Sequence, residues 1–115
     1  MDQHTGIVQK GIGRGRELGY PTINVPLLDN SASGIFAARV KVGEEEFEAA
    51  AFADGKRKIL EAYIFDFDKD LYGWNVTITL LKKIREGMHF KNDDALRVAI
   101  TGDIKTIREY FQVKP

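Results

Sequence analysis

Residues 35–65 read IFAARVKVGEEEFEAAAFADGKRKILEAYIF, and this stretch decides the fold. It contains three short runs rich in apolar, β-branched and aromatic residues, which is the pattern of strands. The runs are 35–42, 47–52 and 59–65, and each pair is separated by a turn that contains glycine. The stretch therefore predicts consecutive strands joined by tight turns.

Further strand candidates lie on both sides of this stretch. Residues 6–10 precede it, and residues 21–26 are held extended by Pro21 and Pro26, since proline restricts its own backbone and that of the residue before it. Residues 76–84, VTITLLKKI, form a long β-branched run after it. About six short strands with turns between them predict an antiparallel barrel or sandwich.

The last third of the chain changes its period. Apolar residues recur at three- and four-residue spacing at Leu96, Ile100, Ile104, Ile107 and Phe111. This spacing predicts one amphipathic helix of about 18 residues, with its apolar stripe against the barrel. Asn92 or Asp93 is its expected N-cap, and Gly102 weakens it by about 1 kcal/mol relative to alanine.

Length and composition exclude several classes of protein. The 115 residues fit one domain, 1–115, and 17 basic against 17 acidic residues give a net charge of zero. Neutrality argues against a general nucleic-acid binder, and the lack of cysteine excludes a disulfide framework, thiolate zinc sites and cysteine nucleophiles. No apolar run approaches the ~20 residues needed to cross a bilayer. We expect a cytoplasmic monomer without nucleic-acid or membrane partners.

Glycines and arginines alternate in residues 11–16, GIGRGR. Gly11, Gly13 and Gly15 would let the backbone approach an anion, and Arg14 and Arg16 would clamp phosphate oxygens. The segment is neither a Rossmann nor a Walker motif, since the glycine and lysine spacings differ. The alternative is a surface turn kept soluble by its arginines.

Residues 21–24, PTIN, sharpen this interpretation. Extended geometry places Thr22 and Asn24 on the same face of the chain. A hydroxyl and an amide oxygen on one face suit a hard cation such as Mg²⁺, whose other ligands would be phosphates and waters. The alternative is an edge strand with two polar residues facing solvent.

Residues 6–24, GIVQKGIGRGRELGYPTIN, resemble the start of the riboflavin kinase domain family. Similar segments follow in the same order: GIFA at 34–37, EAYIFDF at 61–67, DLYG at 70–73, Ile84-Arg85 with Phe90, and a terminal helix containing Asp103. The resemblance covers nearly the whole chain.

The resemblance implies a mainly β fold, a six-stranded antiparallel Greek-key barrel with a C-terminal helix. It implies that ATP and riboflavin are converted to ADP and FMN with Mg²⁺. Residues 11–16 would be a flap over the nucleotide phosphates, Pro21 and Thr22 would contact the nucleotide, and Thr22 and Asn24 would bind its Mg²⁺. A chain of 115 residues is expected to have no room for the adenylyltransferase that bacterial relatives carry.

Glu61 is the candidate catalytic residue. It interrupts an apolar strand and should face away from Leu60 and Ala62, and a carboxylate in such a strand is costly to bury without a partner. By the resemblance, Glu61 accepts the proton of the riboflavin 5′-hydroxyl as that hydroxyl attacks the γ-phosphoryl group. The alternative is an exposed strand carboxylate.

The flavin side of the pocket would follow the long strand. Arg85 and Phe90 fit the spacing of the family pattern LRxExxF, whereas Gly87 stands where the family usually has glutamate. By the resemblance, Met88 and Phe90 contact the isoalloxazine ring, and the alternative is core packing.

Residues 52–61 depart furthest from the family, because they lack its Asn-x-Gly…Arg-Pro-Thr stretch and are shorter. Lys56, Arg57 and Lys58 either supply charge to phosphates or form a solvated turn. Two hypotheses follow: a riboflavin kinase whose donor is ATP or CTP, or a non-catalytic flavin- or nucleotide-binding barrel.

Overall fold

The computed structural model describes residues 2–9, 18–28 and 32–112. Within these residues the chain forms six strands and one helix. The elements are β1 (Asp2–Ile7), β2 (Ile23–Pro26), β3 (Gly34–Val42), β4 (Glu45–Asp54), β5 (Ile59–Ile64), β6 (Asn75–Arg85) and α1 (Asp93–Gln112).

All strand pairs are antiparallel, and the strand order in the sheet is β1-β6-β3-β4-β5-β2. Strands β3, β4 and β5 follow one another through hairpins, and β6 returns to lie beside β3, which is a Greek key. The two edge strands approach each other where the amide N–H of Gln9 donates to the carbonyl of Asn24 at 2.7 Å. The structure thus confirms the expected six-stranded, nearly closed barrel.

The barrel interior is filled by small and β-branched side chains on alternate positions of the strands. In β4 only the inward residues Ala49, Ala51 and Ala53 are fully enclosed. Alanines at these positions leave room for larger residues such as Leu60 and Ile78, neither of which is accessible to solvent.

Strand β1 differs from its prediction, because it covers Asp2–Ile7 instead of residues 6–10. Its outer residues are polar and mostly exposed, so they carry no apolar alternation. Pairing with β6, from Asp2 opposite Leu80 to Ile7 opposite Asn75, extends the strand toward the N-terminus. Tertiary pairing therefore overrides a weak local signal.

Helix α1 begins as the sequence predicts and packs its apolar stripe on the barrel. The side-chain oxygen of Asn92 accepts the amide N–H of Ala95 at 2.9 Å, which makes Asn92 the N-cap. Ile107 is fully buried against Ala37 and Phe65. No helix in the described part of the chain is long and apolar enough to span a membrane.

Replacing Asn92 by alanine should lower the free energy of unfolding by about 1 kcal/mol, because the first turn of α1 loses its side-chain acceptor. Urea unfolding monitored by circular dichroism measures the change. Asn92→Asp keeps an acceptor and serves as the control. Equal stability of the wild type and Asn92→Ala would contradict the capping role.

Candidate active site

Two cavities border strand β5. The first, here called the apolar cavity, has a volume of about 360 Å³ and lies between the barrel and α1. Its walls are mainly apolar and aromatic, and they include Leu18, Tyr20, Ile35, Phe52, Tyr63, Met88, Phe90, Leu96, Ile100 and Ile104. Its volume is in the range of pockets that enclose small molecules.

The second, here called the polar cavity, has a volume of about 850 Å³. It is lined by β2, by the segment that precedes β2 and by residues 67–72. Pro21 also lines it, and Asn24, Asp68, Lys69 and Asp70 give it a more polar wall than that of the apolar cavity.

Thr22 and Glu61 line both cavities. The register of β2 and β5 places them together, since Asn24 pairs with Glu61 and Thr22 lies two residues before Asn24. The Thr22 hydroxyl donates to Glu61 Oε1 at 3.3 Å. A hydroxyl and a carboxylate therefore stand at the junction between an apolar and a polar cavity.

Glu61 reaches this junction because β5 alternates. Leu60 and Ala62 are buried in the core, whereas the side chain of Glu61 points to the other face and is 20% exposed. The carboxylate is thus partly shielded yet open to both cavities.

Arg57 binds the second carboxylate oxygen of Glu61. Its Nη2 donates to Glu61 Oε2 at 3.1 Å, and its Nε donates to Asp54 Oδ2 at 2.8 Å. The hydrogen bond to Asp54 raises the pKa of Arg57 above its ordinary value despite partial burial. Partial burial raises the pKa of Asp54, but the hydrogen bonds from Arg57 outweigh it and leave that pKa lowered. Arg57 and Asp54 are therefore both charged at neutral pH.

The residues predicted to hold Mg²⁺ both line the polar cavity. Asn24 is only 7% exposed, and Thr22 lies beside the Glu61 carboxylate. Within the described ranges no group of three or more His, Cys, Asp or Glu residues could hold a metal ion. A hydroxyl and an amide oxygen fit a cation that takes most of its ligands from phosphates and water, as Mg²⁺ does.

The residues predicted to bind flavin line the apolar cavity. Arg85 forms a two-pronged ion pair with Asp103 of α1, through Nε to Oδ1 at 2.9 Å and Nη2 to Oδ2 at 2.8 Å. Its guanidinium carbon also lies 5.7 Å from the centre of the Phe90 ring. Met88 is 65% exposed, so core packing does not explain it.

Both departures from the family pattern border the apolar cavity. Gly87 lies so close to Phe52 that a Cβ would come within 3.3 Å of its ring. Arg57, from the short hairpin between β4 and β5, lines the same cavity. The two unusual segments therefore shape one pocket.

Sequence reasoning missed several wall residues of the apolar cavity. Tyr20 and Tyr63 meet edge to face with ring centres 5.4 Å apart, and the Tyr20 and Thr101 hydroxyls are hydrogen-bonded at 2.6 Å. Tyr63 lies two residues after Glu61 in β5, on the same face of the strand. This spacing could have placed Tyr63 at the site from the sequence alone. The predicted phosphate flap residues Gly11, Gly13, Arg14, Gly15 and Arg16 lie outside the described residues.

Comparisons with known proteins give a consistent result. The sequence matches the model of the Flavokinase family, described as riboflavin kinase, over residues 3–111. The bifunctional riboflavin kinase/FMN adenylyltransferase of Escherichia coli K12 is 35% identical over 93% of this chain and 37% of its own length. The chain spans between 18% and 38% of the length of the first curated relatives it matches.

Two solved structures share the fold. The crystal structure of riboflavin kinase from Trypanosoma brucei aligns with a TM-score of 0.67 and 26% identity, over 96% of this chain and 79% of that one. A Streptococcus pneumoniae structure described as a macrolide-efflux protein aligns with a TM-score of 0.80 and 31% identity, over 92% of this chain and 38% of that one. By its sequence match over residues 3–111, this chain belongs to the riboflavin kinase (flavokinase) family.

Proposed function

We propose that this chain is a riboflavin kinase, which transfers the γ-phosphoryl group of ATP to the 5′-hydroxyl of riboflavin and yields FMN and ADP. One observation carries the proposal: Thr22 and Glu61 line both cavities. Riboflavin in the apolar cavity and the triphosphate in the polar cavity would meet beside the Glu61 carboxylate.

The two cavities suit the two substrates. Aromatic and aliphatic walls suit the planar isoalloxazine ring, and Arg85, Met88 and Phe90 belong to them. Pro21, Thr22 and Asn24 line the polar cavity and would contact the nucleotide.

Glu61 orients the nucleophile in this proposal. Its carboxylate accepts a hydrogen bond from the riboflavin 5′-hydroxyl and then its proton. A bond forms between the hydroxyl oxygen and the γ-phosphorus, the bond from that phosphorus to the β,γ-bridging oxygen breaks, and ADP leaves with the electron pair.

Thr22 and Asn24 would hold Mg²⁺ together with the nucleotide. When bound, the ion neutralises charge on the phosphate oxygens. The chain itself contributes oxygen atoms at the wall of the polar cavity, one of them on the buried Asn24 side chain.

The proposal is tested by incubating purified protein with riboflavin, Mg²⁺ and either ATP or CTP, and separating the flavins by chromatography. We expect FMN with ATP, and the CTP reaction shows whether the short hairpin also admits a second donor. Riboflavin binding without FMN from either donor would support the alternative, a non-catalytic flavin-binding barrel, for which the short hairpin between β4 and β5 is the argument.

Replacing Thr22 by valine keeps the shape of the side chain and removes the hydroxyl. We expect the Mg²⁺–ATP concentration for half-maximal rate to rise about tenfold, which corresponds to the loss of one hydrogen bond to a charged group. Initial rates at varied Mg²⁺–ATP measure this. Thr22→Ser is the control, and unchanged nucleotide dependence in Thr22→Val would refute the role.

A further inference from the structure

The hairpin between β4 and β5 fixes the direction of one arginine. Asp54 Oδ1 accepts the amide N–H groups of Lys56 and Arg57 at 3.1 and 3.2 Å, which closes the turn. Asp54 Oδ2 then accepts Arg57 Nε at 2.8 Å. One carboxylate therefore holds both the backbone and the side chain of Arg57.

The same arginine reaches Glu61. Its Nη2 is 3.1 Å from Glu61 Oε2, and the Thr22 hydroxyl is 3.3 Å from Oε1, so each carboxylate oxygen accepts a hydrogen bond. A planar carboxylate held at both oxygens has one orientation.

We propose that Arg57 is a positioning residue for Glu61: tethered by Asp54, it orients the carboxylate toward the substrate hydroxyl and offsets its charge. This inference rests on the proposed phosphoryl transfer. It also gives a use to the short hairpin, whose sequence ADGKRK lacks the family's Asn-x-Gly…Arg-Pro-Thr pattern.

Electrostatic repulsion explains why a positive charge beside Glu61 would favour the reaction. A nucleoside triphosphate carries several negative charges. The negative charge of the Glu61 carboxylate, at the edge of the polar cavity, repels them. The guanidinium beside Glu61 reduces this repulsion, and its pairing with Asp54 keeps it in place before either substrate binds. The charges around Glu61 are therefore already in place before the substrates bind. Preorganised charges of this kind supply a large part of the rate enhancement of enzymes.

The first test replaces Arg57 by alanine and, separately, by glutamine. We expect kcat for FMN formation to fall about tenfold, because the Glu61 carboxylate loses the hydrogen bond that fixes its orientation. Arg57→Lys keeps the positive charge but loses the planar guanidinium that binds Asp54 and Glu61 together. Its kcat should therefore lie between those of Arg57→Ala and the wild type. Circular dichroism confirms that each variant is folded.

Arg97 provides a matched control. It is 46% exposed against 41% for Arg57, pairs with an acid three residues earlier at 3.0 Å, and lines neither cavity. Arg97→Ala should leave kcat unchanged. If Arg97→Ala lost as much kcat as Arg57→Ala, the effect would not depend on where the ion pair lies. That result would overturn the inference.

The second test asks whether Arg57 acts through Glu61. In a Glu61→Gln background, Arg57→Ala should change kcat by less than twofold, since the group being positioned is gone. An independent tenfold loss in that background would overturn the positioning role and indicate direct contact with phosphate. If the wild type forms FMN and Arg57→Ala has the same kcat, this inference alone is overturned. If the wild type forms no FMN, the proposed function is overturned as well.

Discussion

Glu61→Gln should lower kcat for FMN formation by about 100-fold or more, the range that general-base catalysis contributes. The amide keeps the size of the side chain and loses the charge and basicity. Because Glu61 lines the junction of the two cavities without filling either, the Kd for riboflavin should change less than threefold. Stopped-time assays give kcat, and quenching of flavin fluorescence gives the Kd.

Glu46→Gln is the matched control, because Glu46 is an exposed strand glutamate that lines neither cavity. Its rate should equal that of the wild type. If Glu61→Gln loses less than threefold in kcat, Glu61 has no part in proton transfer and the mechanism must be redrawn.

Gly34→Ala should destabilise the fold by at least about 3 kcal/mol. Gly34 begins β3 with φ of +104°, where side chains are rarely tolerated, and a Cβ there would lie 2.4 Å from the carbonyl oxygen of Arg85. Since that neighbour is backbone, relief requires β3 and β6 to separate. Thermal unfolding should show a Tm lower by about 10 °C.

Gly102→Ala tests the reverse case in the same protein. Gly102 lies inside α1, and a Cβ at that position meets nothing within 4 Å. The substitution should raise the free energy of unfolding by about 1 kcal/mol. If Gly34→Ala left Tm unchanged or raised it, the close approach of Gly34 to Arg85 would not be the reason for its glycine.

Much of the fold was predictable because the local residue pattern indicates most of the strands and the helix. The β-branched run of β6 and the apolar spacing of α1 lie where the sequence indicates, and Asn92 caps the helix. The start of β1 was not predictable, since its polar outer residues are ordered by pairing with β6 and not by their own pattern.

The site was predictable only in part. The alternation of β5 indicates that Glu61 faces away from the core, but the sequence does not show that it lies between two cavities. In the sequence Arg57 is one of three adjacent basic residues, and its partner Asp54 only precedes the glycine of the predicted turn. Their ion pairs depend on how the hairpin folds back over β5, which spacing alone does not encode.

Helix α1 shows a similar limit. The apolar stripe predicts contact with the barrel, and Ile107 makes it. Leu96 and Ile100 instead line the apolar cavity, and Ile104 both lines it and packs against the Ile107 cluster. Periodicity identifies an inward face but does not separate residues that fill a core from residues that wall a pocket.

Phosphoryl transfer is proposed to occur where the two cavities meet at Glu61. Its most direct test is to quantify FMN and ADP from one reaction of the wild-type protein with riboflavin, Mg²⁺ and ATP. We predict that the two products form in equal amounts, and that both fall about 100-fold with Glu61→Gln. ADP without FMN, or bound riboflavin with neither product, would contradict the account.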